Sequence, residues 1–258
     1  MNPFSLTDRA ALVTGSSQGI GFAIAMGLRD AGARVVYHGL PDRMETDAPY
    51  VSADLLQPDG PAQLIAAAFA AEPRLDTLIG NAGSFFDVPF LEMTRELWAK
   101  TIQLNVTATY FLAQEFAKRL VAEKRGGGIV ITTSTNGFQA EADSTAYDTS
   151  KGALVMLIRT LAVSLAPHGI RVNGIAPGLI RTPLNTAWME SRSSGLAHHY
   201  EKKILLGRIG EPEDCAGAVI FLCSPAASYL TGEIITIDGG LTVAQVGKMG
   251  APAMPPGA

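Results

Sequence analysis

The sequence has few of the residues that build disulfide frameworks or metal centres. It contains two cysteines, Cys215 and Cys223, and four histidines among 258 residues. Two cysteines are too few for a disulfide framework, and we interpret both as small core residues. The neighbouring His198 and His199 lack a third ligand at the spacing of a typical site, so we predict no bound metal.

Charge and long apolar runs are also scarce. Charged residues make up 17% of the chain and the formal net charge is −4, which argues against non-specific binding to nucleic acids or anionic membranes. No apolar run approaches the ~18 residues of a membrane span. The first residues also lack the basic start and apolar core of a signal peptide. These absences predict a cytoplasmic protein with neither a nucleic acid nor a membrane as its partner.

Short apolar runs alternate with longer helical patterns along the chain, which is typical of a parallel sheet covered on both faces. We predict an α/β fold with one Rossmann-like, doubly wound domain over residues 1–242 and about seven strands. A substrate lid is expected at about 179–203 and a poorly ordered, glycine- and proline-rich tail at 243–258. The predicted strands are 10–14, 34–38, 50–53, 76–79, 128–133, 171–175 and 234–237. The predicted helices are 19–30, 61–71, 94–123, 146–166 and one that begins near Pro212.

Three glycines lie between the first predicted strand and the first predicted helix. Gly15 permits a tight turn with a positive φ, Gly19 lets the backbone approach a pyrophosphate, and Gly21 lets the helix pack closely. A helix that begins here offers free N–H groups and the positive end of its dipole to an anion. The segment therefore predicts a dinucleotide-binding turn, with G-x-x-x-G-x-G spacing in place of the commoner G-x-G-x-x-G.

The acidic residue that often binds the adenosine ribose is missing from its usual place. Such a carboxylate lies about twenty positions after the glycine turn, and here that position is Gly39. Without a carboxylate to repel a 2′-phosphate, the sequence favours NADP over NAD. In the next loop, Arg43 could pair with that phosphate, whereas Asp42 could accept a hydrogen bond from a 2′-hydroxyl.

Tyr147 and Lys151 lie four residues apart, and Ser134 precedes Tyr147 by thirteen residues. At a spacing of four on a helix, the phenol and the ammonium share one face. A nearby cation favours the phenolate, so we expect a lowered pKa for Tyr147, as a general acid or base requires. The Ser134 hydroxyl can hydrogen-bond a carbonyl or alcohol oxygen opposite the phenol.

These residues together resemble the short-chain dehydrogenase/reductase superfamily, from Ala10 to about Leu241. Residues 81–83 are similar to the family's Asn-Asn-Ala-Gly, with Gly80 in place of the first Asn, and residues 177–182 resemble its Pro-Gly-x-x-x-Thr segment. The resemblance implies a nicotinamide cofactor bound by residues from all these segments: Gly15, Ser17, Gln18, Gly19, Ile20, Gly21, Gly39, Arg43, Asp54, Leu55, Asn81, Ala82, Gly83, Tyr147, Lys151, Pro177, Gly178, Ile180 and Thr182.

The resemblance also implies a catalytic tetrad. Tyr147 would donate or remove the hydroxyl proton, Ser134 would hold the substrate oxygen, and Lys151 would bond the nicotinamide ribose. Asn105 resembles the family's helix-kinking asparagine, which anchors a water that relays the proton outward. The expected activity is hydride transfer between NAD(P) and an alcohol or carbonyl compound.

The substrate is less constrained by the sequence. A pocket that distinguishes hydroxyl patterns needs several side-chain donors and acceptors, and Asn136, Glu141 and Asn185 could supply them, alongside Ser134, Tyr147 and the apolar Phe85. That combination favours a sugar, a polyol or a hydroxy acid. A general ketone or a 3-oxoacyl group on a carrier protein stays an alternative.

Two further expectations concern the whole protein. A catalytically silent NADP-binding regulator remains open as a different class, since function resides in the site and not in the scaffold. The long predicted helices at 94–123 and 146–166 present apolar faces that usually need a partner. We therefore expect a homotetramer.

Overall fold

The computed structural model describes residues 2–40, 47–191 and 195–244, so Arg43, Asp42 and the predicted tail from residue 245 onward lie outside it. Within these residues one parallel sheet has the strand order β3-β2-β1-β4-β5-β6-β7. Its seven strands match the predicted ones to within two residues at either end: β1 (Ala10–Val13), β2 (Arg34–Gly39), β3 (Tyr50–Ser52), β4 (Thr77–Gly80), β5 (Gly127–Thr132), β6 (Ile170–Pro177) and β7 (Ile234–Ile237).

Helices connect the strands and cover the sheet. They are α1 (Gly19–Asp30), α2 (Gly60–Ala71), α3 (Arg95–Ile102), α4 (Ala108–Ala122), α5 (Thr145–Leu165), α6 (Pro183–Ser191), α7 (Gly195–Lys203) and α8 (Ala216–Cys223). The helical stretch predicted over 94–123 is present from Arg95 to Ala122, with a π-helical turn at Gln103–Thr107 between α3 and α4. The helices α6 and α7 fall in the predicted lid, where the sequence analysis assigned no helix.

The core has two layers, one on each face of the sheet. Ala10 and Leu12 of β1 belong to a cluster with α2, α4 and α5, whereas Ala11 and Val13 belong to a cluster with α1 and α8. This alternation follows from the two-residue period of a strand. It confirms the predicted doubly wound α/β fold. Both cysteines are buried and unpaired, as expected for core residues.

The helix that contains Tyr147 and Lys151 has the length and apolar composition of a membrane span, which the sequence analysis overlooked. Residues Thr145–His168 are the only such helix found in the described ranges. Its residues Leu154, Ile158 and Ala162 pack into the core beneath the sheet. A core helix of a globular fold can satisfy the same criteria.

The strand order reverses between β1 and β4, which places a crevice at the carboxyl ends of these two strands. In open α/β sheets ligands bind at this switch point. The glycine turn, the residues after β4 and the segment after β5 all reach that crevice because parallel strands end at one edge. The fold therefore brings together the segments that the sequence analysis assigned to a cofactor.

Candidate active site

One cleft of about 550 Å³ runs along the carboxyl edge of the sheet. Its volume lies within the range of small-molecule and cofactor sites. It is lined by every described residue that was predicted to bind the cofactor: Gly15, Ser17, Gln18, Gly19, Ile20, Gly21, Gly39, Asp54, Leu55, Asn81, Ala82, Gly83, Tyr147, Lys151, Pro177, Gly178, Ile180 and Thr182.

The glycine turn at one end of the cleft has the geometry that its sequence predicts. Gly15 and Gly19 have φ values of +63° and +58°, a region that residues with a Cβ rarely adopt. A Cβ on Gly21 would lie 2.2 Å from the Gly15 carbonyl oxygen. The turn is thus a narrow backbone cradle at the start of α1, where N–H groups face an incoming anion. These features fit the pyrophosphate of a dinucleotide.

Thr14 fastens the segment after β4 to this turn. Its hydroxyl accepts hydrogen bonds from the backbone N–H groups of Asn81 and Ala82, both at 2.9 Å. The Asn81 side-chain amide donates to the Thr14 carbonyl oxygen at 3.1 Å. The two sides of the cleft are therefore held in register by bonds between adjacent strand ends.

His38 is a site residue that the sequence analysis did not single out. Its Nδ1 accepts a hydrogen bond from the Gly15 backbone N–H at 3.0 Å, and its Nε2–H donates to the Ala53 carbonyl oxygen at 3.1 Å. Burial lowers the pKa of His38 to about 4, against a raising contribution from the Ala53 carbonyl. The ring is therefore neutral at neutral pH and ties the glycine turn to β2 and to the residue after β3.

The absence of a side chain at Gly39 leaves room for the Tyr50 hydroxyl, which the sequence alone did not reveal. A Cβ at this position would lie 2.3 Å from the Tyr50 hydroxyl and 3.1 Å from the Ser17 Cβ. The Tyr50 hydroxyl donates to the Leu40 carbonyl oxygen at 3.0 Å. Tyr50 thus takes part of the space that a carboxylate side chain at the end of β2 would need.

Asp54 lies at the same end of the cleft. Its two carboxylate oxygens accept hydrogen bonds from the Gln57 side-chain amide at 3.1 Å and from the Leu56 backbone N–H at 2.9 Å. These two bonds, from Gln57 first and Leu56 second, lower the pKa of Asp54. The residue therefore stays ionised and keeps a fixed orientation at this end of the cleft.

Tyr147, Lys151 and Ser134 meet at the other end of the cleft. The Lys151 Nζ lies 5.4 Å from the centre of the Tyr147 ring and donates to the Thr132 carbonyl oxygen at 3.1 Å. The Ser134 hydroxyl lies close enough to the phenol to lower the pKa of Tyr147, and its Oγ accepts a hydrogen bond from the Asn136 backbone N–H at 3.1 Å. The three groups that the spacing predicted to act together are therefore neighbours.

The expected lowering of the Tyr147 pKa is wrong for this structure. Burial raises the pKa of Tyr147 to about 12, although the Ser134 hydrogen bond opposes that shift. Burial also lowers the pKa of Lys151 to about 8. Removal of both groups from water outweighs their mutual effect, because a low-dielectric site disfavours each charged form. At neutral pH the phenol keeps its proton and is a hydrogen-bond donor.

Asn105 lies in the π-helical turn between α3 and α4 and does not line the cleft. Its Oδ1 accepts from the Ser84 backbone N–H at 3.0 Å, and its Nδ2 donates to the Ser84 carbonyl oxygen and to the Ser150 Oγ, each at 2.9 Å. A kink at this residue was predicted and is present. The side chain holds the segment after Gly83 against the turn.

Two of the predicted substrate residues, Asn136 and Glu141, lie outside the cleft lining. The Asn136 side-chain amide donates to the carboxylates of Asp148, at 2.7 Å, and Glu141, at 3.3 Å. Glu141 also accepts from the Tyr200 hydroxyl of α7. Their polar atoms therefore join the segment after β5 to α5 and to the predicted lid. The sequence analysis expected both residues to contact the substrate, and the structure corrects that expectation.

Asn185 lines the cleft, but its side chain stabilises the loop that precedes α6. Its Oδ1 accepts from the Thr182 backbone N–H at 2.9 Å, and its Nδ2 donates to the Ile180 carbonyl oxygen at 2.6 Å. The structure therefore assigns it a loop-fixing role, where the sequence analysis expected a substrate contact.

Asp87 was not singled out in the sequence. Its carboxylate accepts from the Ser144 hydroxyl at 3.0 Å and from the Tyr147 backbone N–H at 3.3 Å, which caps the start of α5. Burial is the main cause that raises the pKa of Asp87. Asp87 thus orients the helix turn that carries the phenol. No motif identifies it, because the contact spans about sixty residues.

Aromatic side chains form the outer wall beside Tyr147. The Phe85 ring contacts the Tyr147 ring edge-on, with centres 6.1 Å apart. The Phe86 ring lies 4.1 Å from the Nζ of Lys100, and both residues line the cleft. Phe85 was predicted as a substrate residue and is placed beside the phenol, whereas Lys100 was not predicted.

The sequence of this chain is similar to those of known oxidoreductases. A family model described as Enoyl-(Acyl carrier protein) reductase matches residues 15–242. The chain is 36% identical over 253 residues to L-rhamnose 1-dehydrogenase (NAD(P)(+)) of Azotobacter vinelandii, covering 92% of this chain and 98% of that protein. It is 38% identical over 254 residues to human dehydrogenase/reductase SDR family member 4, covering 91% and 88%.

The chain belongs to the short-chain dehydrogenase/reductase superfamily. Its fold matches the crystal structure of a putative NAD(P)-dependent gluconate 5-dehydrogenase from Beutenbergia cavernae with bound NADP, with a TM-score of 0.88, 36% identity and coverage of 94% of this chain and 100% of that one. This short-chain dehydrogenase/reductase is therefore an NAD(P)-dependent oxidoreductase that transfers a hydride between a nicotinamide cofactor and an alcohol or carbonyl compound.

Proposed function

We propose that the enzyme oxidises one hydroxyl of a sugar, polyol or hydroxy acid with NADP as its coenzyme. The observation that carries this proposal is the meeting of Tyr147, Lys151 and Ser134 at one end of a dinucleotide-sized cleft. Relatives that act on rhamnose and, by description, on gluconate support a polyhydroxylated substrate. The alternative of a general ketone or acyl-carrier reductase has no comparable support in the geometry.

The catalytic roles follow from where the polar groups lie. Ser134 holds the substrate oxygen, and Tyr147 takes the hydroxyl proton during oxidation or returns it during reduction. When bound, the nicotinamide accepts or supplies the hydride. Lys151 holds its ribose and keeps a positive charge near the phenol oxygen, which stabilises the phenolate as it forms.

Asn105 has a positioning role in this proposal. Its side chain fixes Ser84 and Ser150, so the wall of the site and α5 stay in register with the π-helical turn. A water held at that turn relays the proton from the Lys151 side of the site to solvent. The turn suits this role because π-helical turns leave backbone groups outside the regular α-helical pattern.

The coenzyme preference rests on the adenosine end of the cleft. Gly39 carries no carboxylate, and the Tyr50 hydroxyl lies where such a side chain would begin. A 2′-phosphate therefore meets no fixed negative charge from the end of β2. Arg43, in the loop that follows, is the residue we propose to pair with that phosphate.

We further propose a cytoplasmic homotetramer. The helices α4 and α5 each expose large apolar side chains: Tyr110, Phe111 and Val121 on α4, and Met156 and Val163 on α5. Apolar patches of this kind mark protein–protein contacts. Light scattering that reports a monomer at micromolar concentration contradicts the tetramer.

A substrate panel tests the proposed function. Reduced coenzyme is followed by absorbance with aldoses, alditols, aldonates, simple secondary alcohols and, in the reverse direction, a 3-oxoacyl carrier. Turnover of polyhydroxylated compounds above the simple alcohols supports the proposal. Preference for the 3-oxoacyl carrier contradicts the substrate class. Coenzyme binding without any turnover, unaffected by Tyr147→Phe, indicates a regulator and contradicts the enzyme mechanism.

A further inference from the structure

We infer that the substrate is a sugar acid whose carboxylate pairs with Lys100, while a hydroxyl remote from that carboxylate is oxidised at Tyr147. This inference rests on the proposed function and narrows its substrate class. The observations that carry it are the position of Lys100 on the cleft wall, its lack of an acidic partner, and the distribution of carboxylates around Tyr147.

The position of Lys100 is fixed by several contacts. It lies in the last turn of α3, directly before the π-helical turn. Asn105 of that turn bonds both backbone groups of Ser84, which links the turn to the segment after Gly83. The Nζ of Lys100 lies over the Phe86 ring, 4.1 Å from its centre. The cation therefore stands on the same wall as Phe85, which contacts Tyr147.

The charge of Lys100 contacts the Phe86 ring but no carboxylate among the residues that the structure describes. Arg9, Arg34, Lys118 and Arg208, for comparison, each contact a carboxylate within 4.0 Å. In the described cleft lining the only other ammonium or guanidinium belongs to Lys151, which is buried beside Tyr147 and bonded to Thr132. Lys100 is therefore the accessible cation of the cleft, and a carboxylate is the group that completes it.

Apart from Lys151, the charges that act on the Tyr147 phenol are negative. The carboxylates of Asp87, Asp148 and Glu141 lie close enough to act on the phenol electrostatically. An acid whose carboxylate sat beside the reacting carbon would meet this negative field. The same acid with its carboxylate at the Lys100 end avoids the repulsion. An acid bound with its carboxylate at Lys100 therefore presents a hydroxyl remote from that carboxylate to Tyr147.

The chemistry balances without any further reactant. The carbon that bears the hydroxyl loses a hydride to the oxidised nicotinamide, and its oxygen loses a proton to Tyr147. A C=O bond replaces the C–O single bond, and the carboxylate at the other end is unchanged. The product is a keto sugar acid, so the enzyme acts before a reaction that consumes such a keto acid.

The test compares matched probes that differ in charge and length. D-gluconate and D-glucitol share a six-carbon polyol chain but differ in the terminal carboxylate, and DL-lactate carries its hydroxyl next to its carboxylate. We expect wild-type kcat/KM to be highest for gluconate and lowest for lactate. Wild-type preference for glucitol over gluconate overturns the inference while leaving the proposed function intact. No turnover of any sugar, polyol or acid overturns both.

Charge variants at position 100 complete the test. Lys100→Met should lower the ratio of kcat/KM for gluconate over glucitol by about 10- to 100-fold, the range expected for one charged hydrogen bond, mainly through KM. Lys100→Arg should restore most of the ratio. Lys118→Met removes the same charge from an exposed position on α4 and should leave the ratio unchanged. The inference is overturned if Lys100→Met leaves this ratio unchanged, or if it raises KM for the coenzyme and not for gluconate.

Discussion

The Gly15 backbone N–H donates a hydrogen bond to Nδ1 of His38 at 3.0 Å, so a buried imidazole supports the first glycine of the dinucleotide turn. The same ring donates through Nε2 to the Ala53 carbonyl oxygen. One neutral side chain thus joins the ends of β1, β2 and β3 at the adenosine end of the cleft. The shape of the turn depends on His38 as well as on its glycines.

Replacement of His38 should therefore weaken coenzyme binding as well as stability. His38→Leu leaves the Gly15 N–H and the Ala53 carbonyl without partners, which costs about 1–3 kcal/mol for each buried group. Urea unfolding should report the lower stability, and a fluorescence titration with NADPH should report a larger Kd. His168→Leu is the control, since His168 is remote from the turn. An unchanged Kd in His38→Leu contradicts the supporting role.

The pKa of His38 also predicts how stability depends on pH. The pKa of His38 is about 4 in the folded protein and ordinarily 6.5, so the unfolded chain binds the proton first as the pH falls. Stability is unaffected by His38 above about pH 6.5, decreases between there and pH 4, and levels off below. The total loss is about 3 kcal/mol. The melting temperature of the wild type should therefore fall more steeply between pH 6.5 and 4 than that of His38→Leu. Parallel curves of melting temperature against pH contradict the prediction.

Coenzyme selectivity should respond to Gly39 and Tyr50 together. Gly39→Asp places a carboxylate near the 2′-phosphate, but its Cβ must displace the Tyr50 hydroxyl from the Leu40 carbonyl. Gly39→Asp combined with Tyr50→Phe removes that atom and should shift the ratio of kcat/KM for NAD over NADP upward by about 10-fold or more. Gly39→Asp alone should shift it less. Tyr50→Phe alone is the control, and equal shifts in the single and double variants refute the steric argument.

The direction of the reaction should determine its pH dependence. Oxidation needs Tyr147 as a base, and burial raises the pKa of Tyr147 to about 12. The oxidation rate should therefore rise with pH from about 6 to 8, and less steeply from 8 to 10 because Lys151 loses its charge there. Reduction uses the protonated phenol and should not rise; it should decline above about pH 8, where Lys151 loses its charge. Initial rates in both directions over this range provide the measurement, and a flat oxidation profile argues against Tyr147 as the base.

The sequence predicted features that are encoded locally. The glycine turn, the strand ends and the Tyr147–Lys151 spacing each depend on residues a few positions apart, and the fold places them as expected. His38 could have been identified as well, because a histidine next to the end of β2 must lie beside the end of β1 in a parallel sheet. Its role was missed because the histidines were considered only as metal ligands.

Other features depend on contacts that no local pattern encodes. Asp87 caps α5 across about sixty residues of sequence, and Tyr50 reaches Gly39 only through the register of β2 and β3. The π-helical turn within the 94–123 stretch places Asn105 where it bonds Ser84, a contact across about twenty residues that no local pattern predicts. Asn136, Glu141 and Asn185 were expected to contact the substrate, but their hydrogen-bond partners lie within the protein. They therefore support the site from outside or fix its loops.

The most direct test of the account is the rate of Tyr147→Phe, which removes one hydroxyl and keeps the ring beside Phe85. We predict that kcat falls by at least ~10²-fold, while the melting temperature stays close to that of the wild type. Tyr229→Phe, at a fully exposed tyrosine, should keep full activity. A Tyr147→Phe variant that retains most of the wild-type kcat would contradict the proton-transfer role and, with it, the proposed mechanism.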